Sequence, residues 1–208
     1  KDYEQTLAQS YENLADLYED TQRISESEEM YKSALAIYMH LAQENPQRYE
    51  SNLAWSYNNL AIIYYNTQRY VESESMYKAA LELFLHLYDI NPQNWDFTLM
   101  NCYYWLGNTM IQIEKLNEAK EHLIKSLSLA RQMTKDGNKY SIHWLSLYYL
   151  SAIHSQEKDY SSAYNNNEEL LPILNAYYKD DAERWKANYS SQLVSQSFCA
   201  ILLGKFKE

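Results

Sequence analysis

The chain of 208 residues contains only 3 Gly and 3 Pro, too few turn-forming residues for a β-sandwich or barrel but enough for long helices joined by short turns. Its 28 acidic and 18 basic residues give a net charge of −10, which disfavours nucleic acid and anionic membranes as partners and mildly favours a basic one. Cys102 and Cys199 lie in apolar helical stretches and are predicted to be buried free thiols. No stretch approaches the ~20 apolar residues that span a bilayer.

The first elements along the chain form an internal repeat. When the sequence is shifted by 46 residues, Leu7–Gln47 aligns with Leu53–Gln93, and 24 of the 41 paired residues are identical. A fixed period of this size is typical of stacked repeats, in which each unit buries its apolar face against its neighbours. Such folds offer long surfaces instead of closed pockets, so the repeat favours a binding scaffold.

The second repeat shows the elements most clearly. Asn45 and Pro46, like Asn91 and Pro92, predict a helix start with Asn as the N-cap and Pro as the first helical residue. The apolar spacing predicts one helix from Pro46 to about residue 66, a polar turn at 67–69, and a second helix from about 70 to 89. The short connection makes the two helices antiparallel neighbours.

The same pattern continues to the end of the chain. We predict a single solenoid over 1–208, with repeats at about 1–45, 46–91, 92–136 and 137–180 and a terminal helix at about 182–204. The fourth repeat comes 44 residues after the third instead of 46. Because both ends stop abruptly, a fragment of a longer array is favoured over a complete one.

Small and large residues alternate in a specific way within each repeat. Counting Leu60 as repeat position 7, the residues at positions 4, 7, 8, 11, 20, 24 and 27 of the second repeat are Tyr57, Leu60, Ala61, Tyr64, Ser73, Tyr77 and Ala80. This resembles the tetratricopeptide repeat, extended by 12 residues and similar to the repeats of kinesin light chains. The resemblance implies an all-α, right-handed superhelix of antiparallel helix pairs that binds a peptide or protein in a concave groove lined by the first helices.

The resemblance also indicates which residues would line that groove. The first repeat would contribute an acidic end containing Glu12 and Asp16, joined on the same helical face by Glu19 and Asp20. The other candidates are aromatic or amide residues: Trp55, Asn58, Asn59, Tyr65, Asn66, Tyr104, Trp105, Asn108, Tyr148 and Tyr149. Amides would bond an extended peptide backbone, and rings would take its side chains. Two other interpretations remain open, a merely solvated acidic face and rings that pack against one another.

The sequence also argues against binding of a C-terminal carboxylate and against catalysis. Some tetratricopeptide domains clamp a C-terminal carboxylate with Lys, Arg and Asn, but Glu12, Asp16 and Trp105 occupy the corresponding positions here and two of them would repel it. His40 and His86 share one repeat position, which indicates a packing role. Because no metal-ligand spacing, phosphate loop or catalytic pattern occurs, we expect no catalytic residues, no metal site and no cofactor.

We therefore predict a non-catalytic scaffold that binds a protein or peptide with basic and aromatic or apolar residues. The alternatives are a peptide- or signal-sensing regulatory module of a larger protein and a structural spacer. The sequence leaves the partner, the oligomeric state and the compartment open, with a cytoplasmic location favoured.

Overall fold

A computed structural model describes residues 2–134 and 141–205 of the chain. These residues form helices and no strand: α1 (Asp2–Asp20), α2 (Ile24–Glu44), α3 (Pro46–Asn66), α4 (Tyr70–Ile90), α5 (Asp96–Gln112), α6 (Leu116–Thr134), α7 (Ser141–Gln156), α8 (Tyr160–Asp180) and α9 (Ala182–Leu202). The predicted all-α fold of helix pairs is confirmed. The helices α3 and α4 lie within one residue of the ranges that the apolar spacing predicts, and α9 ends two residues before the expected residue 204.

The helices divide into two compact units, Lys1–Lys115 and Leu116–Glu208. Unit 1 contains α1 to α5, and each helix packs against the next one in the chain. Unit 2 contains α6 to α9, packed in the same sequential way. The repeat bounds and the single solenoid over 1–208 stay predictions.

The turn from a first helix to a second helix has one recurring geometry. Gln68 has a φ of 61°, its N–H bonds Tyr65 O at 3.0 Å, and Arg69 N–H bonds Tyr64 O at 2.8 Å. This pair of bonds is a Schellman motif, with Gln68 as the left-handed residue that ends the helix. The residues at the same place in the other turns, Gln22, Glu114, Lys158 and Gly204, have φ values from 59° to 63°.

The two predicted Asn-Pro helix starts differ in the structure. Asn45 Oδ1 accepts a hydrogen bond from Arg48 N–H at 3.3 Å, and α3 begins at Pro46 as predicted. Asn91 also lies at the N-cap position of a helical start at Pro92, but its side chain makes no capping hydrogen bond. A 3-10 turn follows at Pro92–Asn94, and α5 begins only at Asp96. The break accompanies the packing of the Trp95 ring on Phe84, with 5.7 Å between ring centroids.

The core follows the small and large repeat positions. Ala61 and Ser73 are buried where α3 crosses α4, and Ser73 Oγ donates a hydrogen bond to Ala61 O at 2.8 Å. Small side chains at these positions let the helices approach closely, and the large buried side chains of Leu60 and Tyr77 fill the space beside them. Cys102 and Cys199 are buried free thiols, as predicted.

Ion pairs join successive repeats along the second helices of unit 1. Arg69 Nη1 lies 2.9 Å from both carboxylate oxygens of Glu28. One repeat later Lys115 Nζ lies 2.7 and 2.8 Å from the two oxygens of Glu74. Both carboxylates are mostly buried and carry a second cation, Lys32 or Lys78, so the charges of Glu28 and Glu74 are neutralised.

Candidate binding surface

The acidic face of α1 is defined here as Glu12, Asp16, Glu19 and Asp20. Glu12 Oε1 accepts a hydrogen bond from Ser56 Oγ at 2.8 Å, and Asp16 Oδ1 accepts one from Tyr31 Oη. None of the four carboxylates has a cationic partner among the described residues. The acidic face therefore differs from the second helices of unit 1, whose buried acids are paired with Lys and Arg.

Burial and neighbouring carboxylates raise pKa values on the acidic face of α1. Burial raises the pKa of Glu12, and the nearby Asp16 carboxylate raises it further against the opposing effect of the Ser56 hydrogen bond. Burial also raises the pKa of Glu19, with Asp16 and Asp20 acting in the same direction. The attraction of a cation bound here would offset the cost of burying these charges and reduce their mutual repulsion.

The first-helix face of α3 combines amides and rings. Asn58, Asn59 and Tyr65 are partly exposed, while Trp55 and Asn66 are exposed. The Trp55 ring meets Phe84 edge-on at 5.2 Å between centroids, so one side of the indole is held and the other is open. The Tyr65 ring meets both Tyr70 and Trp105 edge-on at 5.4 Å. The predicted residues of α3 thus remain accessible in the structure.

Two of the three candidates on α5 are not accessible. Tyr104 and Asn108 are only 4 % and 3 % exposed, so the prediction that they face an open groove is corrected. The helix carries no charged side chain after Asp96 and buries ten of its residues, which explains why these positions pack inward. The Tyr104 ring instead meets Trp105 at 5.2 Å. Trp105 itself stays partly exposed.

The remaining candidates lie on α7, in unit 2. Tyr148 is exposed and Tyr149 is partly exposed, and their rings meet edge-on at 5.5 Å between centroids. Both rings thus keep part of their surface open to solvent.

Sequence reasoning missed two contributors to the α1 face. Ser56 and Tyr31 are buried, and their hydroxyls donate hydrogen bonds to Glu12 and Asp16. For Tyr31 the signal was available, because a Tyr at position 24 is long enough to reach the first helix of its own pair.

The described residues contain no group of three or more His, Cys, Asp or Glu side chains placed to hold a metal ion. None of their helices is both long and apolar enough to cross a membrane.

The fold and this surface define a helical-repeat interaction scaffold. Family models of the tetratricopeptide repeat match residues 7–43 and 53–91, and another matches residues 101–133. These segments cover more than half of the chain, and the chain belongs to the tetratricopeptide repeat family. Repeats of this family generally mediate protein or peptide binding.

Solved structures share this fold. The chain is similar to BtubC (BKLC) from P. vanneervenii, with 22 % identity and a TM-score of 0.68 over 82 % of this chain and 64 % of that one. It is similar to the apo form of RapI, with 17 % identity and a TM-score of 0.64 over 88 % of this chain and 60 % of that one. The chain thus spans less than two thirds of either structure.

A third similar structure is a putative kinesin light chain of Podosopora anserina with nearly identical TPR-like repeats. The identity is 15 % and the TM-score 0.62, over 94 % of this chain and 95 % of that one. No curated protein matches the chain. At these identities the likeness is one of fold alone.

Proposed function

We propose that unit 1 binds an extended, basic segment of a partner protein noncovalently along the first-helix faces of α1 and α3. The observation that carries the proposal is the unpaired acidic face of α1. Four carboxylates lie there without a cation among the described residues, whereas Glu28 and Glu74 on the second helices each hold two. Lys or Arg side chains of a partner would supply the missing charge.

The amides of α3 support an extended ligand. Peptide N–H and C=O groups outside a helix need hydrogen-bond partners, and Asn58, Asn59 and Asn66 offer both donors and acceptors beside the acidic face. Trp55 and Tyr65 are exposed enough to take side chains of the ligand. The function is binding alone, with no catalytic group assigned.

Calorimetry with synthetic peptides tests this function. The probe is an unstructured 12-residue peptide of alternating Arg, Tyr and Ser, and the control peptide replaces each Arg with Glu. We expect binding of the basic peptide only, weakened by salt because exposed charges are screened. Glu12→Gln with Asp16→Asn, and separately Asn58→Ala with Asn59→Ala, should each reduce the affinity by roughly tenfold or more.

A matched control keeps the charge change but moves it away from the surface. Glu29 on α2 and Glu82 on α4 are exposed, so Glu29→Gln with Glu82→Gln removes two charges elsewhere and should leave binding unchanged. If the control variant weakened binding as much as Glu12→Gln with Asp16→Asn, the effect of charge would be nonspecific. Affinity unchanged in every variant would favour a structural spacer and contradict the proposal.

A further inference from the structure

A cavity of about 240 Å³ lies between α2, α3 and α4 of unit 1. Its wall includes the apolar side chains of Met39, Ala42, Leu53 and Leu83 and one carboxylate, that of Glu50. Pockets that enclose a whole small-molecule ligand measure roughly 300 to 1,000 Å³. The cavity is smaller than these, so it fits a single side chain better than a cofactor.

The internal repeat shows what kind of side chain fits there. A shift of 46 residues aligns Ala42 with Tyr88 and Glu50 with Asp96. Burial raises the pKa of the Tyr88 hydroxyl, and the Asp96 carboxylate interacting with it raises that pKa further. One repeat later, therefore, a tyrosine stands at the position of Ala42 and brings its hydroxyl to the acid at the position of Glu50. The small side chain of Ala42 leaves this space open.

Glu50 can accept a further hydrogen bond. The residue is only 9 % exposed, and His86 Nδ1 lies 2.7 Å from its Oε1. The other carboxylate oxygen accepts no hydrogen bond from the described residues. A charged oxygen taken out of water gains from each added donor, because a hydrogen bond to an ionised group is stronger than one between neutral groups.

The apolar wall decides between the possible donors. A Lys side chain can donate to Glu50, but its flexible stem covers apolar surface less completely and loses more rotamer freedom on binding. A phenol ring is rigid and large, and its hydroxyl is the donor that the carboxylate lacks.

We propose that this cavity receives the side chain of a tyrosine from a partner protein, with the ring against Leu53 and Leu83 and the hydroxyl donating to Glu50. This inference goes beyond the function proposed above, because the cavity shares no residue with that surface. Binding here depends on apolar burial and one hydrogen bond, whereas binding at the acidic face of α1 depends on charge.

The test is an NMR titration of the full chain with isotope-labelled methionine methyl groups. The probe is the acetylated and amidated pentapeptide Gly-Ser-Tyr-Ser-Gly, and its two controls carry Phe or Lys in place of Tyr. Met39 lines the cavity, so a bound ring should shift its methyl resonance, whereas the buried Met100 and Met110 of α5 should not move. We expect the Phe peptide to bind about tenfold more weakly than the Tyr peptide, because the hydrogen bond to the carboxylate is lost. The Lys peptide should bind more weakly still.

Two variants separate the contributions of the cavity and the carboxylate. Ala42→Tyr fills the cavity with the residue of the next repeat, so it should abolish binding of the Tyr peptide while the thermal midpoint stays equal or rises. Ala36→Tyr adds the same ring at an exposed alanine of α2 and should leave binding unchanged. Glu50→Met should weaken binding of the Tyr peptide about tenfold and leave binding of the Phe peptide unchanged.

Three results would overturn the inference. One is equal affinity for the Tyr and Phe peptides, and another is unchanged affinity for the Tyr peptide in folded Ala42→Tyr or in Glu50→Met. The third is tightest binding of the Lys peptide, which would assign the cavity to a cation. Glu12→Gln with Asp16→Asn should leave the affinity for the Tyr peptide unchanged, so this cavity and the acidic face can fail separately.

Discussion

The hydroxyl of Tyr31 donates a hydrogen bond to Asp16 Oδ1, and this pairing is not repeated at the equivalent residues of the next repeat. Tyr77 is the counterpart of Tyr31, but Ile62 stands where Asp16 does. Tyr77 Oη is buried without a hydrogen-bond partner in the described part of the chain. Two tyrosines in equivalent packing positions thus differ in one polar contact.

Replacing each tyrosine by Phe isolates that contact. Tyr31→Phe should lower the free energy of unfolding by about 1 kcal/mol, because it removes a hydrogen bond to a carboxylate. Tyr77→Phe should change it by less than about 0.5 kcal/mol or stabilise the fold, because it removes an unsatisfied buried hydroxyl. Urea unfolding of both variants measures the difference, and equal losses would contradict it.

The pH dependence of stability should have opposite signs at two carboxylates. Burial raises the pKa of Glu12 above its usual 4.5, so the folded state binds its proton more tightly and Glu12 destabilises the fold as the pH rises through that raised value. Burial also acts on Glu74, but the hydrogen bonds from Lys115 and Lys78 outweigh it and lower the pKa below 4.5. Glu74 therefore stabilises the fold above 4.5, and this contribution is lost as the pH falls through the lowered value.

Urea unfolding from about pH 3 to about pH 8 should resolve both effects. Relative to the wild type, Glu12→Gln should gain stability as the pH rises, whereas Glu74→Gln should lose it. If the free energy of unfolding of both variants changed with pH in the same direction relative to the wild type, the opposite pKa shifts of Glu12 and Glu74 would be contradicted.

Asn167 should control the attachment of α9. It is fully buried at the repeat position held by Tyr31 and Tyr77 in unit 1, and it bonds Ser151, Gln192 and Ser195. Asn167→Leu would leave the buried Gln192 amide unpaired and should cost about 2 kcal/mol. Hydrogen exchange should then accelerate in α9, and it should remain unchanged in α1 to α4. Unchanged hydrogen exchange in α9 would show that Asn167 does not control its attachment.

Cys102 should be inert in the native chain. Burial raises the pKa of its thiol to about 12, so almost no thiolate forms at neutral pH. An alkylating reagent at about pH 8 should label it only as fast as the helix opens, and rapidly in urea. Mass spectrometry of the labelled peptides reads this directly, and fast labelling of the folded chain would exclude the buried environment.

Helix bounds could be predicted well because the repeat supplies each signal more than once. The apolar spacing from Pro46 and the polar turn at Thr67 recur 46 residues apart, so chance patterns are excluded. The exception, Asn91, shows the limit of a local motif. Its Asn-Pro pair repeats that of Asn45, but the packing of Trp95 on Phe84 accompanies a different start.

The exposure of the candidate surface was harder to predict, because helical periodicity indicates which face of a helix a residue lies on but not how deeply that residue is buried. Tyr104 and Asn108 lie at the expected angle on α5, yet this helix buries ten of its residues, these two among them. Gln196 at the usual Leu position likewise obscured the repeat register of α9, which the turn at Gly204 fixes.

The sequential packing of helices within each unit bears on how the chain is made. Because every helix of unit 1 packs against its immediate neighbour, and the Arg69–Glu28 pair spans only 41 residues, no stabilising contact there must wait for a distant segment. Such low contact order favours rapid folding. Each hairpin can pack as soon as the one beside it has left the ribosome, so folding can follow synthesis one repeat at a time.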